Sequence, residues 1–474
     1  MDIQDNQLSK KKIFFFLFIF IFAIFLRIYN YNFEDLWYDE QASFWVAQPN
    51  ISSNETLERS TELDRGSSLI FNLILKKFFE IFYYDPNLGK AIPILCGSLS
   101  IPLLCYLTLL IKKNNSYILV GALTSTNFYL ISYSQELRPY SLLFLISILS
   151  IIFFYKIFED KNLSLKKYIN SLMYIIFSTL GASVHTFFFI IIFSQFIFLL
   201  LNYFFYKRKY LLNFFCMFII LFLYLTFMFE QLMLQMSIGD FWIQQVNFDF
   251  FINYFFSRYF GSKIMGAIYL FTLVYFILID KKKLFRVNDK LFLLILILFF
   301  SYFLPLFYSV FQKPILIDRY IIFVLIPIFI LISISIVDFT ENKKKKIIFF
   351  IIILTSFINS YIEIFNREIS KPEFNKSFKY ILSSNTNHNI LIKTKNNIDE
   401  KITVNYSKYT DVTQNDYLNF YTSNSNFSKI NEIWVVCYKP INGFDCSISS
   451  YLFSNWTEEA SIDFKLMNLT LYKK

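Results

Sequence analysis

Hydrophobic runs of roughly 17 to 22 residues recur from Ile13 to about Ile364, with short polar stretches between them. A helix needs roughly 20 apolar residues to cross the hydrocarbon core of a bilayer. Within that core the chain must satisfy its own backbone hydrogen bonds, which favours helices. A soluble core has no use for so many such runs, and a chain of 474 residues that is 56% hydrophobic, with 63 Phe and 33 Tyr, agrees. The expected architecture is an all-α polytopic membrane domain over residues 1–364, with about eleven spans. They fall near 13–29, 90–111, 117–134, 141–158, 168–185, 187–206, 210–229, 264–280, 290–311, 319–338 and 347–364. The first run follows Lys10-Lys11-Lys12 and lacks a small-residue cleavage site after it, so it reads as a retained span rather than a signal peptide.

A net charge of +10 suggests nucleic acid, but the positions of the charges argue against it. Basic clusters sit at Lys112-Lys113, Lys156 to Lys167, Lys207-Arg208-Lys209, Lys281 to Arg286 and Lys343 to Lys346, each between two spans. With the N-terminus cytoplasmic, all of them face the cytoplasm, as the positive-inside rule expects. They are read as a topology signal, with membrane lipids as partners and no nucleic acid. The expected location is the inner (plasma) membrane, multi-pass, with the C-terminal domain extracytoplasmic.

One apolar run is set aside from the spans. Ser68 to Tyr84 carries Lys76, Lys77 and Glu80 near its middle. A charge at the bilayer centre costs about 2.5–3.5 kcal/mol on insertion scales. The run is therefore expected to lie on the outer interface as an amphipathic helix, within a first outer loop over residues 30–89. Residues 365–474 are poorer in apolar runs and richer in Asn, Ser, Lys and Thr. They read as a small α/β extracytoplasmic domain, with a helix over Phe374 to Ser383 and strands over Glu432 to Tyr438 and Ile462 to Tyr472. Cys437 and Cys446 lie there, either bridged in an oxidising compartment or as two free thiols. Cys96, Cys105 and Cys216 fall within spans and read as packing residues.

This topology gathers polar groups on the outer side. Asp39 and Glu40 follow the first span directly. A carboxylate there can act as general base toward a hydroxyl, hold a divalent metal ion, or simply belong to a solvated loop beside Glu34 and Asp35. The turn Ser134-Gln135-Glu136-Leu137-Arg138-Pro139-Tyr140 closes one span and opens the next. Arg138 can grip a phosphate bidentately or pair with Glu136 to fix the turn. Pro139 suits the first turn of the following helix. His185 ends a span and is either an interfacial residue or a metal or phosphate ligand. Arg319 and Tyr320 open a late span, where an arginine either reaches lipid headgroups or contacts an anion. The aromatics of Asp240 to Phe260, Trp242 among them, suit an interfacial belt.

Taken in order, these features resemble one family: Trp-x-Asp-Glu in the first outer loop, Ser-Gln-Glu-x-Arg-Pro-Tyr at a later turn, a His after a subsequent span and an Arg-Tyr pair before a late one. The chain looks like the membrane glycosyltransferases of the GT-C superfamily (glycosyltransferase family 39-like). It is most similar there to protein O-mannosyltransferases and the lipid A aminoarabinose transferase, over most of residues 13 to 340. The turn around Arg138 carries the most specific part of the match. The resemblance implies a GT-C-like fold and a polyprenyl-phosphate sugar donor taken from the outer leaflet. The acceptor would be an envelope lipid, glycan or protein. In the positions that match, Asp39 corresponds to the catalytic acid, Glu40 to its neighbour and Arg138 to the arginine of the turn. Donor-phosphate contacts are expected from Arg138, Arg319, Tyr320 and Arg65, with Glu136, Tyr140 and His185 as further candidates. Asp39, Glu40 and His185 are the candidates for a divalent metal ion. Relatives often carry His-Pro-Pro before the interfacial helix, whereas this chain has Arg65-Gly66-Ser67-Ser68. Arg65 supplies positive charge there but no imidazole for a metal.

Two other classes fit a polytopic chain: a lipid-linked oligosaccharide flippase or transporter, and a glycan polymerase or ligase. A transport path places its charges within the spans, whereas here they crowd one face. Polymerases and ligases lead one to expect larger outer loops. The activity that the resemblance implies, and that this placement of charges favours, is transfer of a sugar, with inversion, from a polyprenyl-phosphate donor to an acceptor on the extracytoplasmic face.

Overall fold

The computed structural model describes residues 10–64, 68–160, 162, 164–207, 210–236, 243, 245–246, 255–279, 290–339, 343–384, 386–411, 418–438 and 455–474. The apolar runs form a helical bundle, as their length and composition dictate. Its long members include Lys10–Ile28, Ala91–Ile111, Tyr140–Glu159, Leu165–Val184, Phe189–Tyr206, Leu211–Met236, Lys290–Phe311 and Lys343–Phe365. Among the described residues, six helical segments are long and apolar enough to cross a membrane. Large apolar side chains also point outward from the bundle. Phe14, Phe218, Phe227 and Phe271 are more exposed than buried, which suits a surface facing lipid rather than water. This is a multi-pass membrane protein.

Two expected spans are more broken than the hydropathy pattern implies. The run 117–134 splits into helices Ser116–Thr126 and Phe128–Ser134. At the break, the Asn127 side chain caps the second helix by accepting from the Leu130 N–H, and its amide donates to the Tyr259 carbonyl. The run 319–338 opens as a 3-10 helix over Asp318–Val324 before helix Leu325–Phe339 begins. In both cases one polar residue has local or tertiary partners that compete with the regular helical ladder.

Ser68 to Tyr84 is helical over Leu69–Ile81 and sits beside the first-loop helices Tyr38–Val46 and Ser53–Asp64. Its charges do not all face solvent. Lys76 is buried and donates to the carbonyls of Gln48, Pro49 and Ile51, while Lys77 and Glu80 pair at its surface. Ile81, Phe82 and Tyr83 remain exposed at its end, which is the apolar surface an interfacial helix presents to a membrane.

The C-terminal segment folds as an α/β unit. Helices Phe374–Ser383 and Asn397–Ser407 accompany a five-stranded sheet: β1 (Asn389–Lys393), β2 (Asn419–Tyr421), β3 (Glu432–Tyr438), β4 (Thr457–Phe464) and β5 (Met467–Lys473). The strand order is β2-β1-β3-β5-β4. β1 runs parallel to β2 and β3, and β5 runs antiparallel to β3 and β4. The helix expected over Phe374 to Ser383 and the strand over Glu432 to Tyr438 are both present. The single strand expected over 462–472 is instead a hairpin, because Leu466 takes a left-handed φ of 55° and turns the chain back. Cys437 is disulfide-bonded, whereas Cys446 lies outside the described residues.

One core joins this unit to the first loop. Leu36, Phe44, Phe71, Leu75, Phe79 and Leu137 pack with Phe374, Phe378, Ile390, Trp434, Val436 and Leu469 in a single buried cluster. The loop that carries Asp39 is thus clamped between bundle and sheet by apolar burial, at about 25 cal/mol per Å².

Candidate active site

Asp39 and Glu40 lie in the first turn of helix Tyr38–Val46, where carboxylates also complement the helix dipole. Their side chains go opposite ways. Glu40 is wholly buried. One of its oxygens accepts from the Leu137 N–H at 2.8 Å, and the other accepts from Lys371 Nζ at 2.6 Å and the Trp37 N–H at 3.3 Å. Asp39 keeps 29% of its side chain exposed and faces Arg319, with an oxygen 3.4 Å from the guanidinium. One carboxylate is used up inside the protein and the other remains accessible.

Arg138 meets the same helix from the turn between Phe128–Ser134 and Tyr140–Glu159. Its guanidinium donates to the Asp39 carbonyl at 3.0 Å and to Ser43 Oγ at 3.2 Å. It also lies 5.9 Å from the centre of the Tyr140 ring. Arg319 stacks near Trp37 at 5.0 Å, Tyr140 at 5.7 Å and Tyr320 at 5.9 Å. Flat aromatic faces suit a guanidinium, whose charge is delocalised and weakly hydrated. Two arginines thus meet Asp39 inside an aromatic frame, Arg319 at its accessible carboxylate and Arg138 at its backbone carbonyl. Such a set can hold an anion while an acid works beside it.

The turn itself is fastened from below. Ser134 Oγ accepts from Arg27 Nε, and Gln135 Nε2 donates to the carbonyls of Arg27 and Tyr29. Gly97 permits this approach, because a Cβ there would collide with Ser134 Oγ. Glu136 is near Lys371, at 3.9 Å. Burial pushes its carboxyl up to about 7, with Lys371 opposing and Glu40 adding to the shift.

His185 caps its own turn, with Nδ1 accepting from the Phe187 N–H, and its ring packs against Tyr140 and Tyr320. The three residues expected to hold a divalent ion do not converge as a donor set. Both Glu40 oxygens are engaged, and His185 spends Nδ1 locally. Among the described residues, no group of three His, Cys, Asp or Glu side chains is arranged for a metal. Arg65 and most of the belt around Trp242 lie outside the described residues.

A second layer of the site was not read from the sequence. Glu34 and Asp35, taken there as solvated loop companions, are structural. Glu34 accepts from Arg367 at 2.6 Å, from the Ser370 N–H and hydroxyl, and from the Lys371 N–H. Burial alone would raise its carboxyl, but these donors hold it below the ordinary value. Asp35 accepts from Asn375 and Tyr406. Tyr38 donates from its N–H to the Tyr438 hydroxyl and from its own hydroxyl to Asp399. Arg367 also reaches Gln135 at 2.6 Å, so the strap after helix Lys343–Phe365 ties both halves of the site together. Burial would lower the Lys371 ammonium, but Glu40 and Glu136 carry it above its ordinary value. One signal for these residues was present: basic side chains directly after the last apolar run, where the expected topology leaves few of them.

No protein-family model matches the chain, and no curated protein matches it by sequence. Solved structures do. The crystal structure of ArnT from Cupriavidus metallidurans in the apo state superposes with a TM-score of 0.56 at 9% identity, covering 98% of both chains. The same protein bound to undecaprenyl phosphate superposes with a TM-score of 0.59 at 8% identity, again covering 98% of both. The likeness therefore runs through the C-terminal α/β unit as well as the bundle, further than the sequence motifs reach. The fold of this chain is therefore the one seen in the ArnT structures.

Proposed function

We propose that this protein transfers a sugar from a polyprenyl-phosphate donor to an envelope acceptor, with inversion, on the extracytoplasmic face of the inner membrane. The observation that carries the reading is the accessible Asp39, whose carboxylate faces Arg319 and whose backbone carbonyl accepts from Arg138. The undecaprenyl phosphate bound by the structurally similar ArnT supports the donor class.

In this mechanism the donor phosphate lies against the two guanidinium groups, with its lipid tail in the bilayer. Planar guanidinium forks match phosphate oxygens and sit where charge develops on the leaving group. The acceptor's hydroxyl or amine attacks the anomeric carbon from the opposite face, and its proton passes to Asp39. The carbon–oxygen bond to phosphate breaks through an oxocarbenium-like state, and lipid phosphate leaves with both electrons. Glu40 takes no part in the proton transfer, because Leu137, Trp37 and Lys371 already occupy its oxygens. It positions Asp39 by pinning the helix turn to the Arg138 turn. No step is routed through a metal. The N-terminus is cytoplasmic in this reading, and residues 365–474 are extracytoplasmic.

The test is transfer from synthetic polyprenyl-phosphate sugars to extracted envelope fractions, with and without a chelator. Product from one donor identifies the sugar and supports the reading. No product and no released lipid phosphate with any donor sinks it.

A further inference from the structure

A cavity of about 430 Å³ opens beside the site, between helices Phe128–Ser134 and Lys343–Phe365 and the strap that follows. Its charged lining is Glu34, Glu136, Glu363, Glu368, Arg367 and Lys371, four carboxylates against two cations. Both cations are committed. Arg367 is bound to Glu34 and Gln135, and Lys371 to Glu40 at 2.6 Å, with one oxygen of Glu136 at 3.9 Å. Among the described residues, Glu363 and Glu368 have no ion-pair partner. One oxygen of Glu136 is buried with no hydrogen-bond donor. A buried carboxylate oxygen left in that state is costly, so it points to a donor that the protein itself does not supply. Phe128 and Ile362 add apolar wall.

The sign of this lining separates the two substrates. A lipid phosphate suits Arg138 and Arg319 and is repelled here. Glu136 is common to both places, since its carboxylate also feels those two arginines. Resting on the transferase reading above, we propose that the cavity is the acceptor subsite and takes a cationic, amine-bearing headgroup. Its ammonium would be held by Glu136 and Glu363. The same chemistry is offered by a free amino compound and by an amine-headed lipid.

A test that needs no turnover uses Ser132, which lines the cavity. The Ser132→Cys full-length protein is labelled with a neutral maleimide; the native free cysteines Cys96, Cys105 and Cys216 are buried. Glucosamine and ethanolamine are expected to slow labelling about fivefold at four times their dissociation constant. Glucose and inorganic phosphate leave the rate unchanged. Adding Glu363→Gln weakens the amine protection. Slower labelling in phosphatidylethanolamine nanodiscs than in phosphatidylglycerol ones, with no free amine, assigns the source to a lipid. Protection by phosphate, equal protection by glucose and glucosamine, or no protection by either amine overturns the proposal. If labelling is indifferent to amines while Asp39-dependent transfer persists, only the cavity assignment fails. If amines protect but no donor is ever consumed, the amine site stands and the transferase reading falls.

Discussion

Replacing Lys371 by Met probes how the strap holds the site. The ammonium lies 2.6 Å from Glu40, both side chains are almost without solvent, and Glu136 is the next carboxylate at 3.9 Å. Removing the cation leaves Glu40 with two backbone N–H donors and only the buried Lys90 ammonium, outside ion-pair distance, as counter-charge. Breaking a buried pair by deleting one partner costs about 3–5 kcal/mol, whereas replacing both partners by neutral groups costs far less. Lys371→Met should therefore destabilise the protein by about 3–5 kcal/mol, and Lys371→Met with Glu40→Gln should recover most of that loss. The assay is equilibrium unfolding of the full chain in mixed micelles, run as a double-mutant cycle. A single variant within about 0.5 kcal/mol of wild type, the scatter of an ordinary surface substitution, would refute the reasoning. So would a double variant no better than Lys371→Met.

Other expectations follow from the same geometry. The Glu136 carboxyl is raised in the folded protein to about 7 from an ordinary 4.5, so the folded state holds its proton longer than the unfolded chain does. This contribution is neutral below the unfolded value, and stability should fall as pH rises from about 4.5 through about 7. Glu136→Gln should flatten that slope, as read by melting temperature against pH. Arg138→Ala should weaken use of the donor more than use of the acceptor, seen as a larger rise in KM for the lipid-phosphate sugar; equal losses would mark a structural role. Gly97→Ala should lower stability by about 1–3 kcal/mol through overpacking against Ser134 and Arg27, measured by thermal unfolding.

The bundle was legible because a bilayer imposes a length rule that Phe- and Ile-rich runs obey without tertiary help. Even there, Asn127 and Asp318 broke the regular ladder, because their partners Tyr259 and Tyr129 lie far along the chain. Asp39, Arg138 and Arg319 were visible as exceptions to an apolar pattern at span ends. The division of labour between Asp39 and Glu40 was not visible, since it depends on Lys371, more than 300 residues away. Glu34 and Asp35 looked like solvated loop acids for the same reason. The first loop and the C-terminal sheet share one core that no local pattern announces. The turn at Leu466 was hidden within a continuous strand-like run because neither Gly nor Pro marks it.

The most direct measurement compares wild type with Asp39→Asn in reconstituted membranes. Release of polyprenyl phosphate from a synthetic sugar donor is followed in the presence of envelope extract. The account predicts that the Asn variant inserts, keeps its unfolding temperature and releases no lipid phosphate above background. Release at the wild-type rate would contradict it and remove the accessible carboxylate from the chemistry.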